Sequence, residues 1–300
     1  MRSLSPQENP YADTQAVSKS GVAYQYVLER LHQLVPPEQL EQRNAVSRTD
    51  GYWPYIRAGQ EPPLQCTYGE FDFFFFASLL DRAWIYYCGN SSSNNDNENS
   101  VSEAEQQAWK DQVFVDIGSG SGRLLLAAAA LHPAWKACRG VELLPGLHTA
   151  AGKTLDQCRG SDGSMALPAI VNDKDMDNDA QTTEATTFAL ALKLKLAPIE
   201  VVCSSFEDEA VSYFWTDASC IFVTASCLPV ELLQSLTRIV GNHCRPGTIV
   251  MSTDYPLPLT DNDTDYDGPV LLELIEKVDG YAWVTGGAST AYIHRVLGPS

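Results

Sequence analysis

Basic side chains are scarce in this chain: 20 Lys and Arg stand against 38 Asp and Glu, a formal net charge of −18 over 300 residues. Grip on a phosphate backbone requires clustered Lys and Arg, so autonomous nucleic-acid binding is not expected. A basic protein partner or a small cationic substrate is compatible with such a field. No apolar run approaches the length of a membrane span. The opening residues, MRSLSPQENPYADTQ, hold no apolar core and do not read as a signal peptide. The cysteines form no C-x-x-C and the histidines no H-x-x-x-H pair, so no metal site is expected. Several cysteines stand in apolar, strand-like runs, the pattern of reduced thiols inside a cell, in cytoplasm or nucleus alike. Nothing in the chain sets an oligomeric state.

What is present centres on VFVDIGSGSGR at residues 113–123. An apolar, β-branched run leads into Asp116, Gly118, Gly120 and Gly122 follow on alternate residues, and LLLAAAAL then reads as a helix. Strand, glycine turn and helix is how an α/β protein brings backbone close to a nucleotide-like ligand. The dinucleotide fingerprint G-x-G-x-x-G is not met, because the third glycine comes one residue early and Arg123 stands in its place. Glu142 follows about twenty residues later, where an acid that binds ribose belongs. Acidic groups at both strand ends would repel a pyrophosphate. They suit S-adenosyl-L-methionine, which carries a sulfonium and an ammonium and no phosphate. A nicotinamide oxidoreductase is disfavoured on the same grounds.

Along the chain, Val22–Val35 reads as an amphipathic helix, and residues 43–66 as an irregular connector. The aromatic run Phe73 to Phe76 opens a helix buried on much of its surface. Strands are expected at 113–117, 137–142, 199–205, 220–226 and 248–253, with helices between them. The segment ATTFALALKLKL before Pro198 reads as helical, and the tail from Val270 to Val296 as an antiparallel pair. Residues 89–107 and 160–186 are polar insertions, and 261–269 an acidic loop. The layout is α/β: a doubly wound seven-stranded sheet, mostly parallel with a C-terminal antiparallel hairpin, Rossmann-like. An N-terminal helical extension and connector covers 1–65, and the main domain covers 66–300.

Together with TYGEF at 67–71 and the closing LELIEKVDGYAWVTGGASTAYIHRV, the glycine motif resembles the seven-strand, non-SET histone-lysine methyltransferases of the disruptor-of-telomeric-silencing family. The resemblance spans roughly residues 66–158 and 199–297 and implies a class I methyltransferase fold. It implies that Tyr68-Gly69-Glu70 folds over the cofactor. It also implies that Asp116, Gly118, Gly120 and Glu142 bind it, with Ser119, Ser121 and Gly122 in the same turn. The family's Asp-Phe pair after the third strand, which meets the adenine, is Ser205-Phe206 here, leaving the ring but not the acid unless Glu207 or Asp208 substitutes. Its asparagine pair at the reaction centre is Thr224-Ala225, and its Trp-Thr-Gly near the C-terminus corresponds to Trp283 with one residue inserted before Gly286. A neighbouring family tyrosine is replaced by Ala291, next to Tyr292.

The expected activity is methyl transfer from S-adenosyl-L-methionine by in-line displacement, with a protein lysine amine as the leading acceptor class and a small amine or another protein group behind it. Tyr68, Thr224 and Trp283 are the candidate residues at the reaction centre. Because Ser205, Thr224 and Ala225 depart from the family where adenine and acceptor are contacted, a cofactor-binding scaffold without catalysis is the alternative.

Overall fold

The computed structural model describes residues 12–88, 109–169, 193–259, 270–282 and 287–298. Most of both polar insertions, the 261–269 loop, Trp283 and Gly286 lie outside them.

The helices are α1 (Tyr24–Leu34), α2 (Leu40–Gly51), α3 (Trp53–Arg57), α4 (Phe73–Cys88), α5 (Arg123–Leu131), α6 (Pro145–Cys158), α7 (Tyr213–Thr216) and α8 (Val230–His243). The strands are β1 (Val113–Ile117), β2 (Ala137–Glu142), β3 (Ala166–Leu167), β4 (Leu194–Lys195), β5 (Ile199–Cys203), β6 (Cys220–Val223), β7 (Ile249–Thr253), β8 (Leu272–Ala282) and β9 (Gly287–Val296). Seven of them form one sheet in the order β5-β2-β1-β6-β7-β9-β8. β5 through β7 in that order run parallel, and β9 and β8 close the sheet antiparallel. This is the doubly wound layout expected from the sequence.

β1 is buried along its whole length, as a central parallel strand covered on both faces must be. On one face lies α5, in which Arg123 and every residue from Leu125 to Leu131 are buried. α1 and α4 pack over it. The phenylalanine run is core: Phe76 stands edge-on to Phe114 of β1 and Phe222 of β6, at 6.0 and 5.0 Å between centroids. The other face carries α8, whose Leu233, Leu236 and Val240 join Val115, Ile221 and Val250 in a second cluster.

Three expectations are corrected. The connector at 43–66 is largely helical, in α2 and α3. α2 buries Arg43, Ser47 and Gly51, which are polar or small, so its buried face carries no apolar periodicity. Leu194–Lys195, the end of the run read as helix, is a strand paired with Ala166–Leu167; residues 185–192 of that run lie outside the described residues. β5 and β6 end at Cys203 and Val223, and the chain turns through a short 3-10 segment at Ala225–Cys227.

Candidate active site

A cleft of about 340 Å³ opens beyond the carboxyl ends of the parallel strands, the place where open α/β sheets bind ligands. Ser204, Glu142, Gly118, Thr224 and Asp254 line it, and each follows or ends one strand in the order β5, β2, β1, β6, β7. Tyr68, Gly69 and Glu70 supply another wall, and Ser205 and Phe206 a third. A smaller pocket shares the Tyr68-Gly69-Glu70 wall and reaches Asp116, Ser119, Gly120 and Ser121. The structure thus gathers most of the residues singled out from the sequence; Trp283 lies outside the described residues.

The glycine turn has left-handed backbone at Gly118, Gly120 and Gly122, with φ of 74, 57 and 79°. The three serve different ends. A β-carbon at Gly118 would meet nothing within 4 Å, so its bare backbone faces the open cleft. One at Gly120 would stand 2.6 Å from the Tyr68 ring. One at Gly122 would press on Ala151 of α6 at 3.3 Å. Gly122 is not in the walls of either cavity and sets the approach of α5 and α6. Ser119 tucks under the turn, where only the absence of a side chain on Gly140 leaves room.

Glu142 is a clamp. One carboxylate oxygen accepts the Gly120 N–H at 2.7 Å and the other the Leu144 N–H at 2.8 Å. It is buried, and desolvation raises its pKa against the pull of those backbone donors. Asp116 is also buried, but its carboxylate has no such donors among the described residues. Burial first, and the charge of Glu142 second, push its pKa up to about 7.

The Tyr68-Gly69-Glu70 segment is held from below. Glu70 accepts from Arg43 Nε at 2.5 Å and from the Tyr68 hydroxyl at 2.8 Å, while Arg123 Nε stands 3.9 Å away. Arg123 also donates to the Phe71 carbonyl at 2.9 Å. The Tyr68 hydroxyl shares a further bond of 2.9 Å with Ser121. The Glu70 carboxylate therefore serves the loop itself. Arg43 comes from α2, and Asp50 of the same helix accepts the Gly146 N–H at the start of α6. Packing across the boundary drawn at residue 65 is continuous: Val46 joins Cys66, Tyr68, Leu144 and Leu147. The role of Arg43 carried no sequence signal.

At the far side, Phe206 is buried at the edge of the core and lines the cleft. Asp208 accepts from the Ser204 hydroxyl and from the Ser205 N–H, so it shapes that turn and does not line the cleft. Glu207 does line it, accepting from Ser235 of α8 at 2.5 Å. Glu70, Glu142, Glu207 and Asp254 all face the larger cavity, and no Lys, Arg or His lines it among the described residues. In the sequence Thr253-Asp254-Tyr255-Pro256 reads equally as a lining of this crevice and as an ordinary turn.

All eight cysteines are free, and no cluster of metal-ligating side chains occurs among the described residues. No helix among them is long and apolar enough to cross a membrane.

No protein-family model and no curated protein matches the chain. Among solved structures, the rRNA methyltransferase aviRa from Streptomyces viridochromogenes is similar at 13% identity, over 76% of this chain and 86% of that one, with a TM-score of 0.47. An RNA methyltransferase from Salinibacter ruber in complex with S-adenosyl-L-homocysteine is similar at 20% identity, over 65% and 88%, with a TM-score of 0.36. A point mutant of MtNAS in complex with S-adenosylmethionine is similar at 12% identity, over 91% and 76%, with a TM-score of 0.38. These are distant likenesses, and no residue role is carried across from them.

Proposed function

We propose that this protein is an S-adenosyl-L-methionine-dependent methyltransferase acting on an amine, with a protein lysine as the acceptor class. The observation that carries the reading is Asp116: a buried carboxylate at the end of β1, without hydrogen-bond donors among the described residues, beside glycine backbone that opens into the cleft. Such a group calls for a cation. The larger cavity adds acidic groups and, among the described residues, no basic ones, and the one arginine at the smaller pocket, Arg123, is engaged by Glu70 and the Phe71 carbonyl; this disfavours a pyrophosphate or a nucleic-acid backbone.

When bound, S-adenosyl-L-methionine supplies an electrophilic methyl group on a sulfonium, with a neutral thioether as leaving group. Asp116 and the Gly118 backbone would hold its charged end. Glu142 keeps lone pairs free beyond its two backbone bonds and would take the ribose hydroxyls. Phe206 would pack on the adenine, with Ser205 and Glu207 at its edge. Tyr68 closes the wall over the turn, and Thr224 stands at the end of β6, between the two halves of the cleft. No strong acid or nucleophile is required of the protein: its part is to align the acceptor and exclude water.

Titration calorimetry with S-adenosyl-L-methionine, S-adenosyl-L-homocysteine and NADH tests the donor, and binding of NADH alone would overturn the assignment. Transfer of tritiated methyl from the donor into a fractionated cell extract tests the activity. Donor binding with no labelled product would favour the scaffold reading, which rests on Thr224-Ala225 standing where the resembled family has asparagines.

A further inference from the structure

Asp254 follows β7, two strands beyond Gly118 in the sheet and three beyond Glu142. At about 4.8 Å between neighbouring strands, it lies on the order of 10 Å from the Gly118 end of the cleft. The donor assignment uses the half over β5, β2 and β1. Asp254 stands at the β7 end of the same cavity, which Val223 and Leu228 of the β6 end also line.

The residue is fixed there. With φ of 66° it is the one non-glycine with left-handed backbone among the described residues. Its N–H donates to the Thr290 carbonyl at 2.6 Å, and one carboxylate oxygen accepts from the Ser289 hydroxyl at 2.8 Å, both on β9. Glu142 has two backbone N–H donors and Glu70 the Arg43 guanidinium and the Tyr68 hydroxyl, while Glu207, at the β5 end of the cleft, has a single hydroxyl donor from Ser235, as Asp254 has from Ser289. Among the described residues Asp254 keeps one oxygen without a donor, and no cationic side chain lines the cavity to neutralise it.

We propose that Asp254 receives the methyl acceptor, and that the acceptor arrives as an alkylammonium whose stem lies along Val223 and Leu228. The proposal rests on the donor assignment above for the direction of the cleft. The carboxylate selects and orients the cation. The ammonium then gives one proton to solvent at the cleft mouth, leaving the neutral amine with its lone pair free.

The test uses the full chain loaded with S-adenosyl-L-homocysteine and titrated with n-hexylamine and, separately, 1-hexanol. The amine is expected to bind roughly tenfold or more tightly than the alcohol, as a charge-assisted hydrogen bond implies. Asp254→Asn should abolish that preference while leaving S-adenosyl-L-homocysteine affinity and the unfolding midpoint unchanged. Asparagine tolerates left-handed backbone and still accepts from Ser289, so the substitution removes the charge alone. No binding of the amine, equal binding of amine and alcohol, or an undiminished preference in the variant would each overturn the proposal. Failure of S-adenosyl-L-homocysteine to bind strikes the donor assignment instead, and the same comparison on the unloaded protein then decides for Asp254.

Discussion

The Tyr68 ring lies against the bare α-carbon of Gly120, where a β-carbon would stand 2.6 Å from a ring atom. The second glycine of the turn is thus required by a neighbouring side chain. Open space belongs to Gly118, at which a β-carbon would meet nothing within 4 Å. The two positions separate stability from binding. Alanine at either suffers left-handed strain of about 1–2 kcal/mol. Gly120→Ala should lose a further ~1–3 kcal/mol as the Tyr68 ring and its bonds to Glu70 and Ser121 are displaced. Gly118→Ala should retain more stability and lose more affinity for S-adenosyl-L-methionine, because its methyl group enters the cleft. Urea denaturation beside calorimetry checks the pair; equal losses of stability would refute the division of roles.

How much of this was legible in the sequence follows from where the information sits. The strand, turn and helix around Asp116 are written in contiguous residues, so their place and their partner Glu142 could be read directly. What Glu142 does with its oxygens could not, since both bonds depend on how the turns after β1 and β2 meet. α2 escaped notice because its buried face is Arg43, Ser47 and Gly51. Its function as a brace is visible only once Glu70, twenty-seven residues away, is seen against Arg43. The left-handed backbone at Asp254 is likewise imposed by β9, which lies far along the chain.

Arg43 should behave as a structural residue of the site. Its side chain is 10% exposed and that of Glu70 3%, so removing Arg43 leaves a buried carboxylate with only the more distant Arg123 and the Tyr68 hydroxyl beside it. Arg43→Ala is expected to cost about 3–5 kcal/mol. The double variant Arg43→Met with Glu70→Gln should recover part of that, since the Arg43–Glu70 pair is removed whole and only Arg123, 3.9 Å away, loses a carboxylate. Chemical denaturation of the three variants measures it, and a double variant no more stable than Arg43→Ala would show that the ion pair is not the source of the loss.

Glu142 is expected to fail in two separable ways. Glu142→Ala leaves the Gly120 and Leu144 N–H groups without acceptors, at about 1–3 kcal/mol each. Glu142→Gln keeps one acceptor oxygen and should lose about half as much stability. Both variants should bind S-adenosyl-L-methionine more weakly than the native chain. Native-state hydrogen exchange at Gly120 and Leu144 offers the direct readout, and unchanged protection in Glu142→Ala would remove the clamp from the description.

Asp116 gives a pH dependence whose sign can be worked out. Burial and the neighbouring charge of Glu142 place its folded pKa at about 7, above the ordinary carboxylate value of 3.8. The folded chain therefore holds a proton that the unfolded chain has lost between those values. The resulting stabilisation is full below the lower value and lost as pH rises through about 7. Buried His132 and His294 act in the opposite sense, because burial lowers their pKa values to about 3 and about 4. Melting curves would mix these contributions; affinity for a cation isolates Asp116. A sulfonium donor favours the ionised carboxylate, so its binding should strengthen as pH rises toward 7, by at most about tenfold per unit, and level off above. Asp116→Asn should bind the donor weakly and with a flat profile across the same range. Calorimetry in buffers from about pH 5.5 to 8 measures both proteins, and a flat profile in the native chain would mean that the cation binds away from Asp116.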